Sequence, residues 1–334
     1  MKIVLVQTSF LGDIALTTPL IGVIKEHYPD SSLSVVTTPL GADLLRYDER
    51  LSEIISFDKN GSERSLIDLF KLAQRLRAAK YDMAFGVQRS FRTSLLLALA
   101  RIPLRVGFAE ARGKFLYHRT VQRDKGRHDV LRNISICSQS SYSSEDAPIR
   151  LFSAPDTTIS PDVVAAMKEG SVVVVPGSVW ATKRWDWRNF RELCLELVRR
   201  GERVVVMGSP QEREICEKVS FESGVINLAG KTSIQDFIWS VEKSSAVVCN
   251  DSFALHVSSA FKKPTVAIFC ATSPKFGFGP WNKYGVVVEK EGLSCKPCAR
   301  HGGVRCPTGT WSCMKDLEVG KVIQALEGVR KGGL

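Results

Sequence analysis

Long apolar runs are absent from this chain. Purely apolar stretches stay as short as Leu95–Ala100, far below the ~18 residues that span a bilayer, so no transmembrane segment is expected. The opening Met1-Lys2-Ile3-Val4-Leu5-Val6 is cut off by Gln7, Thr8 and Ser9; it reads as a first buried strand, not as a signal peptide. Low-complexity tracts and repeats of solenoid period are missing too. No G-x-G-x-x-G follows the first strand, which argues against a dinucleotide site on that turn. The basic residues are scattered and no recognition signature for RNA or DNA accompanies them, so nucleic acid is not the expected partner.

What is present is a chain of 334 residues with 44% hydrophobic and 24% charged residues. That balance is globular, and the length suits two α/β domains better than one. The formal charge of +11 fits an anionic partner, either a phosphorylated substrate or a membrane surface, and equally fits an ordinary basic soluble protein. Nine cysteines are present. Cys137, Cys194, Cys216, Cys249 and Cys270 each stand alone in apolar or helical context and read as small buried hydrophobes of a reducing compartment.

Short β-branched runs alternate with amphipathic stretches along the whole chain. Strands are expected at Ile3–Val6, Ser34–Thr37, Glu53–Ser56 and Met83–Val87, then at Ser171–Val175, Arg203–Met207, Val225–Leu228, Ala246–Cys249 and Thr265–Phe269. Nearly continuous apolar strands separated by helices predict parallel sheets covered on both faces. The alternation breaks over 150–170, a stretch richer in Pro, Ser, Asp and Thr, and the domains are placed at 1–155 and 165–334 on either side. Two such domains are expected to face each other across a cleft at the carboxyl ends of their strands. A closing helix over about 316–330 is expected to pack back across to the first domain.

Four segments carry candidate chemistry. In Thr8-Ser9-Phe10-Leu11-Gly12-Asp13, Asp13 follows the first strand and could take a proton from an attacking alcohol. Spacing alone favours a plainer role at the start of a helix, where the dipole welcomes a carboxylate. In Pro176-Gly177-Ser178-Val179-Trp180-Ala181-Thr182-Lys183-Arg184, Ser178 and Thr182 offer hydroxyls and Lys183 offers charge at a strand end, a cradle suited to a diphosphate; a basic loop capping a helix is the alternative. In Asn250-Asp251-Ser252-Phe253, free amides at a helix start could accept phosphate or ribose oxygens, and Asp251 or Ser252 would serve equally as a cap. His256, one turn in, is by itself the kind of histidine that usually plays a structural part. Finally, Cys295, Cys298, Cys306 and Cys313 open with C-x-x-C. A structural zinc closed by four thiolates, free thiols and one labile disulfide are the alternatives there.

Taken in order, these segments resemble the ADP-heptose:lipopolysaccharide heptosyltransferases of glycosyltransferase family 9, most closely the heptosyltransferase II branch. The resemblance runs from residue 1 to about residue 326. It includes Ser9-Phe10-Leu11-Gly12-Asp13, Gln88-Arg89-Ser90-Phe91-Arg92-Thr93, the Arg105-Val106-Gly107-Phe108 turn, His128, Pro176-Gly177-Ser178, Lys183-Arg184-Trp185, Ala229-Gly230-Lys231-Thr232, Asn250-Asp251-Ser252, Ala271-Thr272-Ser273-Pro274 and Cys313-Met314-Lys315-Asp316-Leu317. It implies a GT-B fold of two Rossmann-like domains, with acceptor on the first and ADP-heptose on the second. It implies inverting heptose transfer to the inner core of lipopolysaccharide, with Asp13 as general base and no cofactor required for catalysis. Lys183 would contact the donor diphosphate and Glu212 its nucleoside; Ser178, Thr182, Lys231, Asp251, Ser252 and His256 would complete the donor site. Arg89 and Arg92 would bind the lipooligosaccharide acceptor's carboxylates and phosphates. A cytoplasmic protein, peripheral on the inner face of the inner membrane, is implied as well. Readings that keep the fold but change the donor sugar, or leave a non-catalytic binding relative, attach to one departure. The family usually has glycine after Asn-Asp-Ser/Thr, whereas this chain has Phe253, whose ring crowds the donor's approach unless it turns away. The family's histidine near the third cysteine is also replaced, around Thr310.

Overall fold

Valine-rich runs form the strands. Val172–Val175 and Val204–Val206 are buried at every residue, as expected where a sheet is covered on both faces. The computed structural model describes residues 1–138, 140–168, 170–221 and 224–332. The chain divides into two units, Met1–Phe152 and Ser153–Leu334.

The first unit runs β1 (Lys2–Val6), α1 (Leu11–Ala15), α2 (Thr18–His27), β2 (Ser32–Thr37), α3 (Pro39–Leu45), β3 (Glu53–Ser56), α4 (Leu66–Ala78), β4 (Met83–Gly86), α5 (Phe91–Leu99), β5 (Leu104–Phe108), β6 (Arg119–Val121) and α6 (Asp129–Ile134). Its sheet is ordered β3-β2-β1-β4-β5-β6, with every neighbour parallel. Helix α4 starts at a capping box in which Ser65 and Asp68 satisfy each other's backbone amides. It buries Leu69, Leu72, Ala73 and Leu76, a single helical stripe. The stripe meets Val4, Val6, Val36 and Ile55 of the sheet in one core.

The second unit runs α7 (Pro161–Ala166), β7 (Val172–Val175), α8 (Trp187–Arg199), β8 (Val204–Val206), α9 (Arg213–Ser220), β9 (Ile226–Asn227), α10 (Ile234–Lys243), β10 (Ala246–Asn250), α11 (Phe253–Ala260), β11 (Thr265–Ile268), β12 (Gly285–Val288), α12 (Ser312–Lys315) and α13 (Val319–Arg330). Its parallel sheet, β12-β11-β10-β7-β8-β9, repeats the first order when read from the other edge. Asp186 caps α8 through the Arg188 amide at 2.9 Å, worth about 1 kcal/mol. The buried Phe190, Leu193 and Leu197 contribute about 1.5–3 kcal/mol each. Packing rather than capping therefore holds α8.

Three expectations change. Arg105–Phe108, read as a turn, is part of β5. Its neighbour β6 is mostly exposed and the far edge strand β12 is half-buried throughout, so neither shows the buried-strand pattern. The closing helix α13 places Val319, Val322, Ile323, Leu326 and Val329 in the second unit's own core. The 150–170 stretch joins the second unit from Ser153 onward. There the Ser160 amide donates to Asp236 Oδ1 at 2.9 Å and Trp239 Nε1 donates to Asp156 Oδ1 at 2.7 Å.

Candidate functional site

In an open parallel sheet, ligands bind outside the carboxyl ends of the strands where the strand order reverses. In the first unit that point lies between β1 and β4, and in the second between β7 and β10. The segments that carry Asp13, Arg89, Lys183 and Asp251 each begin at one of these four strand ends.

Asp13 sits in the first turn of α1, whose N-cap position is taken by Phe10 without a side-chain bond; Asp13 is therefore not the cap. Two glutamines hold its loop. Gln7 accepts from the Ser9 amide at 3.2 Å and donates to Thr17 Oγ1 at 2.9 Å. Thr17 in turn donates to the Asp13 carbonyl at 2.7 Å. From the end of β4, Gln88 Nε2 donates to Ser9 Oγ at 2.6 Å, while Gln88 Oε1 accepts from Thr8 and Thr93 hydroxyls at 2.7 and 3.1 Å. Replacing Gln88 by leucine strands three hydroxyls together. It is expected to cost about 1–3 kcal/mol, read by denaturant unfolding, with kcat falling as the Asp13 loop loosens.

Of the two arginines expected at the acceptor, Arg89 is exposed. Arg92 is engaged: its guanidinium donates to the carbonyls of Arg64, Glu63 and Ser65 at 2.7, 2.9 and 3.3 Å and lies over Phe57 at 5.4 Å. It shapes the loop after β3 instead of presenting an open cation. That loop carries Lys59, a residue the sequence pattern did not single out. Burial pushes the Lys59 ammonium below its usual range, Arg92 adds repulsion, and Asp13 pulls the other way. Lys59, Arg92 and Asp13 thus share one electrostatic neighbourhood.

In the second unit, buried Asn250 ties the basic loop to the end of β10. Its amide donates to the carbonyls of Pro176 and Gly177 at 2.8 and 3.3 Å, and its Oδ1 accepts from the Trp185 amide at 2.9 Å. Gly177 and Glu212 approach closely: a Cβ at Gly177 would overlap the Glu212 carboxyl, which would have to move. Glu212 belongs to a capping box, accepting from the Ser209 amide and hydroxyl at 2.9 and 2.8 Å, which holds it against Gly177. Ser178 donates to the Asp251 carbonyl at 3.3 Å. Lys183 Nζ pairs with Asp251 Oδ2 at 2.8 Å, and Thr272 Oγ1 donates to the same oxygen at 2.7 Å. Asp251 is therefore committed to lysine and threonine, and the N-cap position of α11 falls to Ser252, which makes no side-chain cap bond. Ser252 Oγ is buried with no hydrogen-bond partner among the described residues. His256 is buried one turn inside α11, and Lys231 is exposed beside Gly230. The Phe253 ring turns onto Phe237 of α10, centroids 5.8 Å apart.

In the cysteine segment, burial raises the Cys298 thiol and the nearby Cys295, Cys313 and Cys306 sulfurs add to the shift. Cys298 Sγ donates to the Cys295 carbonyl at 3.0 Å and Cys306 Sγ meets Thr308 Oγ1 at 3.3 Å. Cys313 hydrogen-bonds to the thiol of buried Cys270, so Cys270 is not a solitary core cysteine. Among the described residues no group of three His, Cys, Asp or Glu side chains could hold a metal ion. Thr308 and neighbouring amides bring the Cys306 thiol down to about 7.

Residues 69–305 match the family described as glycosyltransferase family 9 (heptosyltransferase). The chain belongs to that family. It is a glycosyltransferase of the GT-B type. A lipooligosaccharide heptosyltransferase 2 from Campylobacter jejuni is 24% identical over 98% of both chains. Lipopolysaccharide heptosyltransferase 2 from Salmonella typhimurium is 24% identical over 83% of this chain and 84% of that protein. The solved structure of ADP-heptose lps heptosyltransferase II from E. coli has 22% identity, covers 99% of both chains and superimposes with a TM-score of 0.81. Among the described residues no helix is long and apolar enough to cross a membrane.

Proposed function

We propose that this glycosyltransferase moves heptose from ADP-heptose to the inner core of lipopolysaccharide, with inversion, at the cytoplasmic face of the inner membrane. The observation that carries the reading is the family match over 69–305, and the heptosyltransferase 2 relatives name the branch. In the reaction an acceptor hydroxyl oxygen attacks the anomeric carbon and its proton passes to Asp13. The bond from that carbon to the β-phosphate oxygen breaks, and ADP leaves with the electron pair. Lys183, with the amides that open α11, stabilises the charge on the departing diphosphate. Glu212, beside Gly177, takes the nucleoside; Ser178, Lys231, Ser252 and His256 complete the donor surface. Asp251 enters through Lys183. Arg89 and Lys59 are the cations for the acceptor's carboxylates and phosphates.

Incubation with ADP-heptose and a heptose-deficient core is expected to release ADP and add one heptose. No ADP release would sink the proposal. A panel of other nucleotide sugars separates it from a relative with a different donor, and donor binding without turnover would identify a non-catalytic one. The packing of Phe253 on Phe237 favours catalysis, because the ring already has a protein partner. A structural zinc at Cys295, Cys298, Cys306 and Cys313 would require those thiols to leave the partners described above. Metal analysis of the purified protein decides it: one zinc per chain establishes the site.

A further inference from the structure

Lys183 is held from two directions. At its ammonium, Asp251 and Thr272 form the buried network already described. At its stem lies a different part of the chain, the segment that carries the cysteines. The Thr182 amide donates to the Gly303 carbonyl at 3.0 Å, and the Gly303 amide donates to Thr182 Oγ1 at 2.8 Å. The Ala271 amide donates to the Thr182 carbonyl at 3.2 Å, and the Cys298 amide donates to the Ala271 carbonyl at 2.9 Å. Residues 182, 271, 298 and 303 thus form one backbone lattice. Gly302 presses closest. Its φ is +77°, and a Cβ there would lie 3.0 Å from Lys183 Cγ, 3.0 Å from Trp180 Cβ and 3.3 Å from Thr182 Oγ1.

We propose that the segment Cys298–Gly303 is a positioning element of the donor site, with Gly302 and Gly303 as the residues that set the Lys183 stem. The inference rests on the diphosphate role given to Lys183 above. A lysine carries its charge on a long flexible stem, and ordering that stem costs entropy whenever a ligand must do it. A glycine that lets backbone lie against the stem, and a threonine clamped by its neighbour, order it before the donor arrives. This also accounts for Thr182: its hydroxyl oxygen accepts from Gly303, so it acts on the donor through the lattice.

The test is steady-state kinetics with separate donor and acceptor KM values. Gly302→Ala is expected to raise the donor KM about tenfold and to leave the acceptor KM unchanged. Combined with Lys183→Ala it should be no worse than Lys183→Ala alone. Gly309→Ala is the control, because Gly309 has φ +71° with nothing within 4 Å of an added Cβ. It carries the same left-handed strain just beyond the proposed element and should leave the donor KM within about twofold of the parent. Equal effects from Gly302→Ala and Gly309→Ala, or a parent-like donor KM in Gly302→Ala, would overturn the inference. Should Gly302→Ala fail to fold, Thr182→Val removes the oxygen that accepts from Gly303. A raised donor KM restored by Thr182→Ser supports the proposal, and a parent-like value refutes it. If Lys183→Ala itself leaves the donor KM unchanged, the diphosphate reading fails, and this inference with it. If only Gly302→Ala is silent, the diphosphate reading stands alone.

Discussion

Replacing Asp13 by alanine is expected to lower kcat by about 10²–10⁴-fold, the usual contribution of a positioned general base, while donor affinity stays within about twofold. Two roles for the carboxylate predict different losses. A carboxylate that merely favours the first turn of α1 contributes about 0.3–1 kcal/mol to stability and nothing to the chemical step. A base contributes to kcat and little to stability. Asp13→Asn separates them further, since it keeps the shape and the polar contacts but cannot take the proton. The loop is built for a fixed group: Gln7, Gln88 and Thr17 hold its backbone. Measuring kcat, donor Kd and unfolding free energy on both variants checks this. Retained turnover in Asp13→Asn would move the base elsewhere.

Lys183→Ala is expected to raise the donor KM by about one to two orders of magnitude, through loss of a charge-assisted contact worth about 1.5–3 kcal/mol. A second loss comes with it. Lys183 and Asp251 side chains are only 16% and 6% exposed, so removing the ammonium leaves a buried carboxylate with Thr272 alone. Breaking such a pair from one side costs about 3–5 kcal/mol of stability. The paired change Lys183→Ala/Asp251→Asn removes the stranded charge. It should recover much of that stability and none of the donor affinity. If donor affinity returned with stability, Lys183 would be a fold residue only.

The central strands could be read from the sequence because they are short apolar runs. β1, β7 and β10 are flanked on both sides, and their runs Ile3–Val6, Val172–Val175 and Ala246–Cys249 are wholly apolar. β5 and β6 eluded that reading because Arg105 and Arg119 interrupt them near a sheet edge. Asp13, Lys183 and Asp251 could be placed at strand ends from local order alone. Their partners could not. Thr272 reaches Asp251 across 21 residues, Gln88 reaches Ser9 across 79, and Gly303 reaches Thr182 across 121. Those pairs exist only once parallel strands bring their carboxyl ends to one side of a sheet. The contacts of Arg92 could not be read for the same reason: the carbonyls that engage it lie 27–29 residues upstream. The Phe253 ring, too, finds its direction only when α10 and α11 are side by side.

The placement of α13 bears on how the chain is made. The second core takes Val322 and Leu326 from its last helix, so during synthesis that half stays unfinished until its final turns have left the ribosome. The first half closes around residues that all precede Ser153 and is free to fold much earlier. Nascent chains halted before Val319 should therefore bury the Asp13 loop in a protease-resistant body while the strands that present Lys183 remain open to cleavage.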